Sequence, residues 1–201
     1  MVPAVILAAG RSLRMGRPKP LLITRDGQSF VRQLSQTLWA GGVAEVLVVG
    51  RPDDAALRAE VETVGVPARF VENPDADTAG QISSIVAGLR VADRPGVRAV
   101  LVTPVDLPLV TTETVRTLLS SFNSTGAQIV RPVHGGGHGH PVIFARALFA
   151  ELRAADVSRG AIAVLRAHEG AILNVEVADP GVLTDVDTPE DYQRLFGRPP
   201  G

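Results

Sequence analysis

Short apolar runs alternate with stretches of helical period along most of this chain. Pro3 to Ala8 is a continuous apolar run, the pattern of a strand buried on both faces. Val31, Leu34 and Leu38 recur on one helical face, and Gly41-Gly42 stops that helix. Glu45 to Val49 predicts a second strand, and Pro52-Asp53 opens a helix carrying Leu57, Val61 and Val64. Arg69 to Glu72 reads as a short third strand, and Ile82, Ile85, Val86 and Leu89 mark the next helix. Ala99 to Thr103 predicts a fourth strand, followed by a helix near Thr112 to Ser121. This alternation predicts a three-layer α/β fold, a mostly parallel Rossmann-like sheet with helices on both faces.

After Gly126 the pattern changes. Ala127 to Val130 and Pro141 to Phe144 are apolar runs separated by a loop rich in glycine and histidine. Helices are expected near Arg146 to Ala154 and Ala161 to Ala167, a strand over Ala171 to Val177 and a terminal helix over Pro189 to Phe196. No linker, internal repeat or low-complexity tract divides the chain. Residues 1–201 are therefore read as one domain, with an alternating first half (1–125) and a second half that carries the terminal helix (126–201).

Composition narrows the function classes. With 201 residues and 45% hydrophobic content the chain can bury a core without staples. It has no cysteine, which excludes disulfides and thiolate metal sites and suits a reducing, cytoplasmic setting. The apolar start, MVPAVILAAGRS, lacks a basic flank and is too short to span a bilayer. A net charge of −1 and 4% aromatic residues argue against a nucleic-acid surface. Any anionic ligand must be held by a local cluster of cations and amides.

Leu7 to Lys19 supplies such a cluster. Gly10 follows a buried strand directly, at the end where parallel α/β sheets bind ligands. Ala8, Ala9 and Gly10 have small side chains or none, so backbone amides of the run from Leu7 to Arg11 and Ser12 can approach a phosphate. Arg11, Arg14, Arg17 and Lys19 place four cations within nine residues. A dinucleotide fingerprint is absent, which argues against a nicotinamide-dependent oxidoreductase. The P-loop spacing also fails, because five residues separate Gly10 from Gly16 and Arg17 follows. Asp106, between Pro104 and Pro108, ends the fourth strand where a carboxylate can meet a triphosphate-bound magnesium ion. Asp185 and Asp187 alternate, so on an extended segment both face one side. Asp187-Thr-Pro-Glu is also a good helix start.

The segment from Leu7 to Leu22 resembles the signature LxxGxSxRMGxxKxLL of MobA-like nucleotidyltransferases, nearest the molybdenum cofactor cytidylyltransferase (MocA-like) branch. The resemblance continues at Gly80-Gln-Ile-Ser-Ser-Ile85, Pro104-Val-Asp-Leu-Pro108, Gly139-His-Pro-Val142 and Asp185-Val-Asp-Thr-Pro-Glu-Asp191, in the family's order. It implies a nucleotide-diphospho-sugar transferase type of fold and a Mg2+-dependent transfer of CMP from CTP to a phosphorylated acceptor such as molybdopterin. Arg14, Lys19 and Asp106 would be catalytic, Asp106 and Asp187 would hold the metal, and Asp185 stands in reserve. Gly80, Gln81 and Ser84 would contact base and ribose, and His140 with Gly139 would face the acceptor. The form Ala8-Ala9-Gly10 leans to CTP, while GTP stays open, as do sugar- or polyol-phosphate acceptors. The resemblance also admits a partner, a molybdenum enzyme or its chaperone, and a role as a non-catalytic maturation factor. His134, His138 and His140 invite a zinc reading, but the glycines between them give no rigid ligand geometry. A mobile lid or acceptor loop is expected there instead. His168, in a polar helical context, receives no role.

Overall fold

Alternation along the strands builds two cores at once. In the computed structural model, which describes residues 1–200, the first strand is β1 (Ala4–Leu7), buried throughout. Ala4 and Ile6 point into one core, and Val5 and Leu7 into the other. α1 (Phe30–Gly41) follows, capped by the Ser29 hydroxyl, which accepts from the Arg32 amide, and ended by Gly42 at φ 106°. β2 (Val46–Gly50) repeats the alternation. α2 (Ala55–Glu62) starts later than Pro52-Asp53 suggests, because Asp54 is the residue that caps it, accepting from the Leu57 amide at 2.9 Å. β3 (Ala68–Glu72), α3 (Gly80–Ala92), β4 (Ala99–Pro104) and α4 (Thr112–Thr125) complete the alternating half.

The rest of the chain extends the same sheet. β5 (Ile129–His134), β6 (Gly137–His138), β7 (Val142–Ala145), α5 (Phe149–Ala154), α6 (Ala161–Ala167), β8 (Ile172–Glu176) and α7 (Pro189–Phe196) follow in order. The eight strands run β3-β2-β1-β4-β7-β5-β6, with β8 paired to β5. β1 through β4 are mutually parallel, and β7 enters antiparallel between β4 and β5. The sheet is thus mixed but mostly parallel. α1, α2, α4 and α7 cover one face, and α3, α5 and α6 the other. No helix among the described residues is long and apolar enough to cross a membrane.

One segment differs from its sequence reading. The glycine- and histidine-rich stretch from His134 to His140, expected as a loop between two apolar runs, begins instead as a hairpin on the sheet, with Val133 and His134 paired to His138 and Gly137. β5 runs on through Pro132, whose carbonyl accepts from the Gly139 amide at 2.9 Å. Gly135 and Gly136 make the turn with φ of 56° and 83°, a conformation that costs glycine little. Arg131, Pro132 and His134 break the apolar run, which hides the continuation of the strand from a periodicity argument.

α7 brings the C-terminal segment back across the first half. Tyr192 and Phe196 pack on Phe30 of α1, with ring centroids 6.2 and 5.4 Å away. The Tyr192 hydroxyl donates to the Ile23 carbonyl at 2.5 Å. Just before α7, Gly181 lies where a Cβ would sit 2.3 Å from the Leu109 carbonyl oxygen. Backbone cannot yield there as a side chain would. Gly181→Ala is expected to cost about 1–3 kcal/mol, measured by urea denaturation.

Candidate functional site

A cleft opens at the carboxyl ends of β1 and β4, which pair at Leu7 and Pro104. This is the switch point of the sheet, where β2 continues to one side of β1 and β4 to the other. Its volume is about 530 Å³. The run Leu7 to Ser12 lines it, with Arg14 and Lys19. Gly80, Gln81 and Ser84 of α3 form a second wall, and Asp106 and Asp187 a third. Residues far apart in sequence therefore share one cavity. Gly139, His140, Asp185 and Arg17 do not line it.

The first loop is shaped by its backbone. Leu7, Ala8 and Ala9 are buried, and a Cβ at Gly10 would meet no atom within 4 Å. Among the described residues, the amides of Ala9, Gly10, Arg11 and Ser12 donate to no protein acceptor. Ser12 holds a left-handed conformation, φ 52°, uncommon for a residue with a side chain. Its carbonyl accepts from the amides of Met15 and Gly16 at 3.1 and 3.0 Å. Its hydroxyl accepts from the Lys19 amide at 3.1 Å. Ser12 thus folds the loop and sets the position of Lys19.

Lys19 lies between the two aspartates. Its Nζ donates to Asp106 Oδ2 at 2.9 Å and to Asp187 Oδ1 at 2.5 Å. Its side chain is 11% exposed, and theirs 23% and 22%. Arg14 reaches the other oxygen of Asp187 at 2.9 Å. Sequence reasoning expected both cations on a phosphate. Here they serve carboxylates, because two like charges facing one cleft are relieved by a cation between them. Burial opposes the Lys19 charge, but hydrogen bonds to Asp187 and Asp106 outweigh it and hold the ammonium above its ordinary range. The same bond from Lys19, with Arg14 adding to it, keeps the Asp187 carboxyl below its usual range.

Asp187 reaches the cleft because it does not cap α7. Thr188 does, in a reciprocal capping box with Asp191. The Val186 amide donates to the Asp106 carbonyl at 2.9 Å, tying the two acidic segments together. Asp185 is exposed instead. The chain turns between Thr184 and Thr188, so the alternation expected of an extended segment does not bring both carboxylates in. Asp106 and Asp187 converge through oxygens alone, the donor chemistry of a hard divalent cation. Among the described residues no three acidic or histidine side chains gather, so a metal held here would complete its shell with phosphate and water.

Sequence reasoning missed Asn73, Asp77 and Arg51. Asn73 is 1% exposed and donates to the hydroxyls of Ser83 and Ser84 at 2.8 and 2.9 Å. It fixes Ser84, whose own proton is left for an acceptor in the cleft. Asp77 is gripped from two sides, by Arg11 and by Arg51. Single polar residues in loops carry no spacing that would reveal these contacts.

The three histidines of the hairpin region part ways. His134 Nδ1 pairs with the Val177 carbonyl at 2.8 Å, and His138 approaches Arg131 at 3.2 Å. His140 sits beside β4, within range of the Asp106 charge. Burial holds its imidazole below its usual range, against the opposing pull of the Val102 carbonyl and Asp106. Its Nδ1 is buried with no partner among the described residues. Gly139 packs on Val182, leaving no room for a Cβ. His168 pairs with Glu151 at 2.8 Å.

A mixed sheet with a cleft at the switch point defines a Rossmann-like α/β protein. Residues 4–172 match the MobA-like NTP transferase domain, and the chain belongs to that family of nucleotidyltransferases. It is 31% identical to the nicotine blue oxidoreductase of Paenarthrobacter nicotinovorans, over 97% of this chain and 96% of that one. It is also 31% identical to the molybdenum cofactor guanylyltransferase of Rhizobium meliloti, over 96% and 89%. Among solved structures, Rv0371c of Mycobacterium tuberculosis superposes with a TM-score of 0.78 at 27% identity, covering 98% of this chain and 99% of that one. The same protein in complex with manganese gives 0.72 at 27% identity, covering 98% of both chains.

Proposed function

We propose that the chain transfers a nucleoside monophosphate, CMP from CTP, to a phosphorylated acceptor such as molybdopterin, and releases pyrophosphate. The observation that carries this reading is one cavity lined both by four loop residues whose amides donate to no protein acceptor and by two convergent carboxylates. The amides of Ala9 to Ser12 would hold the triphosphate, with Arg14 and Lys19 neutralising it. Asp106 and Asp187 would hold Mg2+, which when bound offsets charge developing on the α-phosphate. The relative solved with manganese supports divalent metal use. An acceptor phosphate oxygen, already ionised, attacks the α-phosphorus, and the bond to the β-phosphate oxygen breaks. No protein nucleophile is required. Gln81 and Ser84 would meet the base and ribose from the N-terminal end of α3. His140 and Gly139, outside the cleft lining, would act on the acceptor side only if the acceptor reaches beyond that lining.

GTP is the second reading, favoured by the relative named molybdenum cofactor guanylyltransferase. The Ala8-Ala9-Gly10 sequence leans the other way. A panel of CTP, GTP, ATP and UTP with Mg2+ and molybdopterin-type, sugar-phosphate and polyol-phosphate acceptors separates them by pyrophosphate release. CTP with molybdopterin is expected to give the highest kcat/KM. Faster turnover of GTP would overturn the assignment of base. Magnesium-dependent binding of CTP with no pyrophosphate from any acceptor would mark a non-catalytic maturation factor for a molybdenum enzyme.

A further inference from the structure

We infer that Asp77 and Arg51 are positioning residues that set Arg11 for the nucleotide's phosphates and lock the first loop to the wall formed by α3. The inference rests on the nucleotidyl-transfer reading of the cleft.

Arg51 directly follows β2, and its side chain is 22% exposed, against 59% for Arg11. It is the anchored member of the trio. Its Nη1 and Nη2 donate to the two oxygens of Asp77 at 2.7 and 2.5 Å. Its Nε lies 3.6 Å from Asp53. Arg11 takes the same carboxylate by a different edge. Its Nε and Nη2 donate to Asp77 Oδ1 and Oδ2 at 2.8 and 2.7 Å. A guanidinium has five N–H donors in a fixed fork. Arg11 therefore keeps Nη1, and the second hydrogen of Nη2, free while it holds Asp77. Arg11 lines the cleft, so this free edge can serve a phosphate without Asp77 being released.

Three segments meet at this carboxylate: the first loop through Arg11, the end of β2 through Arg51, and the stretch before α3 that carries Asp77. The first loop brings the amides, and α3 brings Gly80, Gln81 and Ser84. Tying them fixes the distance between the phosphate-facing and base-facing walls. Asp53 beside Arg51 balances the formal charge of the cluster, so what the clamp supplies is the placement of Arg11 rather than a net field. Both arginines hold the Asp77 carboxyl far below its usual range, Arg51 first, so the trio keeps its charge throughout the working pH range.

Breaking the clamp frees Arg11 to wander and makes nucleotide binding pay for re-ordering it. Asp77→Ala is expected to raise the KM for nucleotide, and its Kd in calorimetry, about 3–10-fold with kcat unchanged. Asp77→Glu should recover most of the loss. In an Arg11→Ala background, Asp77→Ala should have no further effect, because its influence runs through Arg11. Arg51→Ala should behave as Asp77→Ala. Tighter nucleotide binding by Asp77→Ala would overturn the inference, since Asp77 would then be a competitor for Arg11. Additive losses with Arg11→Ala, or an unchanged KM, would overturn it as well. Lys19→Ala serves as the marker for the site itself. If it impairs the enzyme while the Asp77 variants do not, the clamp fails and the transferase reading stands. If wild-type protein binds no nucleoside triphosphate, both fall.

Discussion

Lys19→Ala is expected to lower turnover roughly 10²–10³-fold, the scale for losing one preorganised charge at a phosphoryl centre. It should also tighten divalent-metal binding to the nucleotide-free protein. The second effect follows from where the ammonium sits. It bonds both aspartates that would hold the metal, at 2.9 and 2.5 Å. A dication cannot share that position with Lys19, so metal binding must first displace it. A triphosphate gives Lys19 somewhere to go, which couples metal and nucleotide binding. Without Lys19 that coupling weakens: Mn2+ titration followed by electron paramagnetic resonance should show higher affinity in the absence of nucleotide and less gain on adding it. Equal Mn2+ affinity in variant and wild type would mean that Lys19 does not compete for the aspartates. The variant should fold, at a stability cost of about 1 kcal/mol for partly exposed pairs. The pH dependence has a defined sign. Asp187 is held below its unfolded value by Lys19, so this contribution is present above the unfolded pKa and fades as pH falls through the lowered one.

The alternating half of the fold was legible because both of its signals are local. Ala4, Val5, Ile6 and Leu7 are all buried, and a four-residue apolar run says so directly. Gly42 and Gly126 end their helices in the left-handed conformation, as their position after apolar-periodic segments suggests. The hairpin of β5 and β6 was not legible, since a strand containing Arg131, Pro132 and His134 has no period to read. For the site, sequence spacing brought out the first loop and Asp106, and the family resemblance added α3 and Asp187; these residues share one cleft. Spacing alone left the choice between Asp185 and Asp187 open. That choice turns on Thr188 taking over the helix cap, a competition between neighbouring oxygens that depends on backbone angles. The partners of the cations were also hidden. Arg11, Arg14 and Lys19 look like phosphate ligands in sequence, yet each meets a carboxylate that lies at least 60 residues away along the chain.

Asp106→Ala should abolish turnover to below about 10⁻³ of wild type, because charge stabilisation at the α-phosphate and the position of Lys19 are lost together. Nucleotide-dependent Mn2+ binding should disappear in the same variant. Asp187→Ala is expected to do nearly as much damage, and Asp185→Ala almost none, since the Asp185 carboxylate is exposed outside the cleft. The three variants together test the assignment through binding as well as rate. A large loss of Mn2+ binding in Asp185→Ala with Asp187→Ala spared would reverse the assignment and require the turn from Thr184 to Thr188 to rearrange. The Asp106 and Asp187 effects should also be strongly non-additive. The double variant loses no more than either single one if both carboxylates act on a single ion. Independent roles, such as a metal ligand at Asp106 and an orienting partner for Lys19 at Asp187, would instead multiply their losses. The backbone bond from Val186 to Asp106 holds the two segments together whichever side chain is removed, so each single variant should keep the fold and report on chemistry.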